Sequence, residues 1–337
     1  MASVRPESRW NTSFALSRSL RKTSYVNTLL TTSPAEAAAI IRHGGLVAFP
    51  TETVYGLGAD IFNEAAIAKI FEAKGRPADN PLIVHIAAVR QVRLLTNDLT
   101  PAAETLLRAF APGPITVVVP RSPKVPLIAT AGLETIGIRM PRLPMAREFL
   151  AACNVPVAAP SANISGRPSP TTWQAVQEDL DGRIDCILQG TDSEIGLEST
   201  VVDCTVEPPV VLRAGSVTLE QLQAVIPGTK LFSASGLEAP RSPGLKHQHY
   251  SPRARVIIGA PAVPVDNSAF IGIAKPTSEF CYSRVCKDIE EYGRSIYEFF
   301  RECDRAGIET IYCEQVAESG IGVALIDRIR RAAEAGG

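Results

Sequence analysis

Short β-branched runs alternate with amphipathic helical stretches along most of this chain, and that alternation is what most restricts its fold. "LVAFP", "PLIVHIA", "ITVVVP", "TIGIRMP", "VPVAAP", "DCILQG", "STVVDC" and "PVVLRAG" read as strands. Between them, "PAEAAAIIRH", "NEAAIAKIFEAKG", "PAAETLLRAF", "LPMAREFLAA" and "TTWQAVQEDL" place apolar residues at helical spacing. Strands interleaved with helices predict an α/β fold, a twisted open sheet with helices packed on it. Ser33-Pro34-Ala35-Glu36 predicts a capping box with Pro at the first helical position, and that helix should stop at Gly44-Gly45. The helix "TLEQLQAVI" closes the unit near Pro227, so the first domain is expected over 34–226.

The pattern then changes. Residues 227–252 are rich in Pro and Gly and lack periodicity, as a linker would be. From 253 to 337, "ARVIIGA", "AFIGIAK" and "IETIYCEQ" read as strands and two amphipathic helices accompany them, a small Rossmann-like α/β domain. No GxGxxG follows its first strand, so no dinucleotide site is expected there. Residues 1–33 carry five Lys/Arg, one acid and many Ser/Thr, and are expected to be a disordered basic extension. The same composition resembles an organelle transit peptide, which gives organelle targeting as the alternative to a cytoplasmic location.

Composition excludes some functions. The formal net charge is −1, which gives no global field for nucleic acid or an anionic membrane. No run reaches the ~18–20 apolar residues of a membrane span. Seven cysteines, an odd number without CxxC, fit reduced thiols better than a disulfide framework. No cluster has metal-ligand spacing, so no protein metal site is assigned.

Candidate chemistry gathers at the strand ends. "FPTETVYGLGAD" offers Thr51 and Thr53, with Gly56 and Gly58 expected to let the backbone turn and approach a ligand. "KGRPADNPLIVHI" sets Lys74, Arg76 and Asn80 in a Gly/Pro-stiffened loop, where Arg76 suits phosphate as a fork and Lys74 as a point charge. The bland alternative is a solvated loop. His85 follows in an apolar strand, where a lone His is more often a core residue than a ligand. "APSANISGRPSP" spaces Ser161 and Asn163 two apart, so both can face one ligand. Arg139 in "TIGIRMP" is expected at the sheet edge with a partner. Ser199 in "GLESTVVD" and Arg213 at the end of "VVLRAG" complete the set. Each residue could be structural alone. Together they fit a concave polar site for an anionic nucleotide and a small polar co-substrate.

In that order, "FPTETVYGLG", "KGRPADNPL", "APGPITVV", "GIRMP", "PSANISG", "STVVD" and "LRAG" resemble the YrdC-like threonylcarbamoyl-AMP synthases, and "SPGLKHQHYSP" before a small α/β domain resembles their two-domain form. The resemblance implies synthesis of threonylcarbamoyl-AMP and pyrophosphate from L-threonine, bicarbonate or CO2, and ATP. It implies a downstream complex that passes the threonylcarbamoyl group to tRNA next to the anticodon. It implies Thr53, His85, Arg139 and Ser199 for threonine. It implies Lys74, Arg76, Asn80, Ser161, Asn163, Arg213 and Tyr250 for ATP, with Thr135 and Thr171 as weaker candidates and the linker as a lid. Lys74 and Arg76 are expected to be the catalytic pair, with Mg²⁺ arriving on ATP. Three departures stand out: a C-terminal unit that looks short, which leaves its docking open; Gln248 where the family often has a cation; and the basic extension.

Rival readings remain. A YrdC-like double-stranded-RNA binder without turnover would rely on a local patch, since 34–252 carries 18 Lys/Arg against 21 Asp/Glu. Related hydrogenase-maturation carbamoyltransferases also carry zinc-finger segments, which this chain lacks. A regulatory ATP binder would show no substrate-dependent pyrophosphate release.

Overall fold

A computed structural model describes residues 27–232, 250–259, 261, 263 and 265–335. The eleven strands of its main sheet are β1 (Leu29–Thr31), β2 (Val47–Phe49), β3 (Gly56–Asp60), β4 (Ile83–His85), β5 (Ile115–Pro120), β6 (Thr135–Arg139), β7 (Val157–Ala159), β8 (Cys186–Leu188), β9 (Thr200–Asp203), β10 (Val210–Arg213) and β11 (Lys230–Leu231). Their order is β1-β8-β2-β3-β7-β4-β6-β5-β9-β10-β11, with parallel and antiparallel neighbours mixed. The chain is α/β, as its alternating pattern predicts.

Local chemistry explains the elements and the departures from expectation. Ser33 caps the helix Pro34–Arg42 by accepting from the Glu36 N–H. The capping box is only half formed, because the Glu36 carboxylate takes the Thr31 hydroxyl instead. Thr31 belongs to β1, which pairs with β8. The extension expected over 1–33 therefore becomes structure at its end, and residues 1–26 lie outside the described residues. The linker expected over 227–252 likewise begins with β11.

The strand β3 is missing from the sequence reading because it is Gly-Leu-Gly-Ala-Asp, a poor strand by propensity. Its glycines serve packing rather than a turn. A Cβ at Gly56 would stand 3.2 Å from the Phe49 ring, and one at Gly58 only 2.7 Å from Val157. Their absence lets β3 lie flat on those side chains.

Apolar clusters cover both faces of the sheet. A further cluster belongs to the C-terminal domain. That domain is a parallel sheet in the order β12-β15-β13-β14, built from β12 (Arg255–Ile258), β13 (Ser268–Gly272), β14 (Tyr282–Val285) and β15 (Thr310–Cys313). β14 was hidden because it is a polar edge strand. The helix Ile289–Ala306 begins on the Asp288 side chain and ends on Gly307 in the left-handed region.

The question of docking has a definite answer. The C-terminal core reaches into the first domain and includes Val54 and Leu197. Arg301 binds the Asp179 carboxylate at 2.9 Å, Arg305 meets Glu178 at 2.9 Å, and Arg328 meets Glu198 at 2.9 Å. Among the described residues no helix is long and apolar enough to cross a membrane.

Candidate active site

The loop after β2 is stiffened by its own hydroxyls. Thr51 Oγ1 donates to the Val54 carbonyl at 2.6 Å and accepts from the N–H groups of Thr53 and Val54. This turn fixes Thr53, whose hydroxyl accepts from Arg139 Nη1 at 2.8 Å. Arg139 ends β6, an interior strand between β4 and β5, rather than lying at the sheet edge. Its other nitrogen, Nη2, pairs with Glu52 at 2.7 Å. Burial alone would raise the Glu52 carboxyl, but the Arg139 charge and hydrogen bond hold it below the usual range.

Parallel pairing of β4 with β6 places His85 directly beside Arg139. Burial, with Arg139 next to it, pushes His85 down to about 3, so the imidazole is neutral at physiological pH.

The helix Glu64–Lys74 ends at Gly75, which takes φ +59° and turns the chain. That turn sends Lys74 inward, 1% exposed, rather than into a solvated loop. Its Nζ donates to the Ser161 carbonyl at 2.6 Å and to the carbonyl and side chain of Asn163. Lys74 thus pins the "PSAN" loop while bringing its charge beneath it. Burial and the nearby Arg76 lower its pKa well below the ordinary value. Ser161 Oγ donates to Asn163 Oδ1 at 2.6 Å, so the two residues form one rigid unit. Arg76 spends Nε and Nη2 on the carbonyls of Asn80 and Pro81, which aims the guanidinium. Arg213 closes β10 and binds the Ser199 carbonyl and hydroxyl at 3.0–3.1 Å. Ser199 also bonds Thr116 at 2.8 Å.

These groups line one cavity of about 710 Å³, measured out to open solvent. Thr53, Lys74, Arg76, His85, Arg139, Ser161, Asn163, Ser199, Arg213 and Tyr250 all lie on it. Three candidates do not. Asn80 is buried beside it and contributes its carbonyl to Arg76. Thr135 opens on a smaller neighbouring cleft that shares Pro81 and Ile83 with the cavity. Thr171 is buried, with its carbonyl held by the Ser193 N–H at 2.9 Å. Gln248 lies outside the described residues.

Among the described residues, three buried polar atoms on this wall make no hydrogen bond: His85 Nδ1, Arg139 Nε and Ser165 Oγ. Buried polar groups nearly always have partners, so these three stand out on the wall, as do Arg121 Nε, Ser216 Oγ, Glu298 Oε2 and Arg301 Nε away from it.

Sequence reasoning missed Glu52, Ser165 and Glu198. Glu198 lines the cavity, and its carboxylate accepts from Ser169, Tyr297 and Arg328. Its neighbour Ser199 was the only local signal. Among the described residues no group of three or more His, Cys, Asp or Glu could hold a metal ion.

Residues 39–215 match the Sua5/YciO/YrdC family model, described as telomere recombination, and residues 217–334 match the threonylcarbamoyl-AMP synthase C-terminal domain. The threonylcarbamoyl-AMP synthase of Pyrococcus abyssi is 43% identical over 314 residues, which span 88% of this chain and 92% of that protein. That of Bacillus subtilis is 41% identical, spanning 89% and 92%. The crystal structure of P. abyssi Sua5 complexed with L-threonine superposes with a TM-score of 0.84 at 38% identity, covering 92% of this chain and 98% of that one. With both domains matched in order, the chain belongs to the two-domain Sua5 family of threonylcarbamoyl-AMP synthases.

Proposed function

We propose that this cavity joins L-threonine, bicarbonate or CO2, and ATP into threonylcarbamoyl-AMP, releasing pyrophosphate. The observation that carries the proposal is one cavity with two chemically distinct ends. One end is Thr53, His85 and Arg139, with two of the unpartnered polar atoms. The other is Lys74, Arg76, Ser161, Asn163, Arg213 and Tyr250. Ser199, bonded to Arg213, sits where they meet.

At the first end, the Arg139 guanidinium keeps N–H groups beyond those given to Thr53 and Glu52 and turns its charge to the threonine carboxylate. Neutral His85 can accept from the amino acid without repelling an ammonium group. At the second end, Arg76 and Arg213 face the phosphates and Lys74 adds charge from below. The unprotonated threonine amine attacks the carbon of CO2 and gives up a proton to become the carbamate; with bicarbonate the same step expels hydroxide, which leaves with that proton as water. A carbamate oxygen then attacks the α-phosphorus, and the P–O bond to pyrophosphate breaks. Both reactants are anionic, so the wall's fixed cations lower the barrier by neutralising charge as the bond forms. No side-chain nucleophile is needed. Holding carbamate against phosphate is a proximity task, for which effective molarities of ~10⁵ M or more are attainable.

Mg²⁺ would arrive on the triphosphate and offset its charge. Among the described residues, Glu52 and Glu198 are each held by an arginine, which is consistent with a cation carried by the nucleotide. A transfer complex acting on tRNA would consume the product. A cytoplasmic setting, or an organelle reached through residues 1–33, would supply the substrates.

The test is pyrophosphate release by the purified full chain. Release that requires both threonine and bicarbonate is the expected result. Release indifferent to threonine would replace this reading with a bare ATPase.

A further inference from the structure

The cavity expected to take a polyanion carries a carboxylate on its wall. Glu198 is buried and lines the same cavity as Lys74, Arg76 and Arg213. A bare carboxylate there would oppose a triphosphate, since Coulomb repulsion is weakly screened at a buried site.

The compensating charge comes from the other domain. Arg328 stands on the C-terminal helix Gly322–Ala335 and is itself buried, 1% exposed. Its Nε donates to Glu198 Oε2 at 2.9 Å, and its Nη2 donates to the Ala214 carbonyl at 2.9 Å, beside Arg213. Its Nη1 meets Asp327, but Asp327 is also paired with Arg331 at 3.1 Å. Tyr297, on the other C-terminal helix, adds its hydroxyl to Glu198 at 3.0 Å. The guanidinium lies 5.4 Å from the Tyr250 ring centroid, and Tyr250 stacks on Tyr297 at 5.4 Å. Tyr250 lines the cavity. A single arginine from the C-terminal domain thus touches a wall carboxylate, the strand end holding Arg213, and the wall tyrosine.

We propose that Arg328 is a positioning residue for ATP: it neutralises Glu198 and holds it back, so that the cavity of the first domain accepts a triphosphate only when the C-terminal helix is docked. The inference rests on the assignment of ATP to the Lys74–Arg76–Arg213 end. By reciprocity, ATP should also favour the docked helix.

The experiment is steady-state pyrophosphate release by the full chain, with KM for ATP and kcat measured separately. Arg328→Met should raise KM for ATP at least tenfold, with a smaller change in kcat and in KM for threonine. Adding Glu198→Gln to Arg328→Met should bring KM back to within about threefold of wild type, because the pair is then neutral. Arg328→Lys should keep KM within about threefold. Glu198→Gln alone should lower KM for ATP, because the wall then keeps the Arg328 charge without the carboxylate, and it remains readable if Arg328→Met fails to fold.

A KM unchanged in Arg328→Met would overturn the inference. So would a raised KM that Glu198→Gln does not relieve, which is the signature of lost packing. A KM raised more than threefold by Glu198→Gln alone would show that the carboxylate itself is needed. Arg76→Ala run in parallel separates the two levels. If it weakens ATP and Arg328→Met does not, only this inference falls. If Arg76→Ala leaves ATP untouched, the ATP assignment falls first.

Discussion

Two buried arginine–carboxylate pairs meet the same cavity in opposite senses. In Arg139–Glu52 the cation faces the cavity and the carboxylate lies behind it. In Arg328–Glu198 the carboxylate faces the cavity and the cation lies behind it. The first pair is made within the catalytic domain, between a loop and an interior strand. The second spans the two domains. Buried ion pairs contribute little net stability, because desolvation offsets their attraction. Their value here is in what they present to a ligand. The inner pair offers a directed guanidinium with Nε unsatisfied. The outer pair hides a charge that would otherwise repel.

The largest expected effect comes from breaking the inner pair. Arg139→Met leaves Glu52, 0% exposed, as an unpaired buried charge. Removing one partner of such a pair costs about 3–5 kcal/mol, so urea unfolding at pH 7 should show a loss of that order. A loss below about 1 kcal/mol would mean that Glu52 finds water or another donor.

Next comes the phosphate end. Arg76→Ala should slow turnover at least tenfold, through a lost charge-assisted contact of ~1.5–3 kcal/mol. Near-normal turnover would remove Arg76 from the site.

A third test uses pH. Burial first, then Arg139, depresses His85 to about 3 in the folded chain. The unfolded chain therefore takes up a proton near pH 6.5 that the folded chain refuses. The contribution to stability is complete above pH 6.5 and declines as pH falls towards 3. By pH 5 the loss is about 2 kcal/mol. His85→Gln should flatten the stability profile between pH 6.5 and 5. Glu52, Asp179 and Glu198 are all held below their ordinary values, so their own losses begin at lower pH.

The smallest effect is the control for the outer pair. Arg305 and Glu178 also bridge the domains, but both are half-exposed. Arg305→Ala should cost less than about 1 kcal/mol in the same urea titration. A larger cost would mean that docking rests on surface charge rather than on Arg301 and Arg328.

How far these features were legible depends on how local they are. Strands of β-branched residues, and helices with Pro at their start and Gly at their end, declare themselves in short windows. β3 did not, because its glycines answer to Phe49 and Val157, which neighbouring strands supply. β1 did not, because three residues after a basic stretch gain strand character only by pairing with β8. Lys74, Arg76, Ser161 and Asn163 stood out through motif order, yet the burial of Lys74 and its grip on the 161–163 loop follow from the turn at Gly75. Thr135 and Thr171 rested on resemblance alone; the fold sets Thr135 on the neighbouring cleft and buries Thr171. Glu52 and Glu198 were invisible as partners because Arg139 and Arg328 lie 87 and 130 residues away.

The central claim is that one cavity holds threonine at the Arg139 end and ATP at the Arg76 end. Calorimetric titration of each ligand into wild type, Arg139→Lys and Arg76→Ala tests it most directly. The account predicts a crossed result: Arg139→Lys weakens threonine at least tenfold and leaves ATP within about threefold, while Arg76→Ala does the reverse. Equal losses of both ligands in both variants, or no loss in either, would contradict the two-ended site.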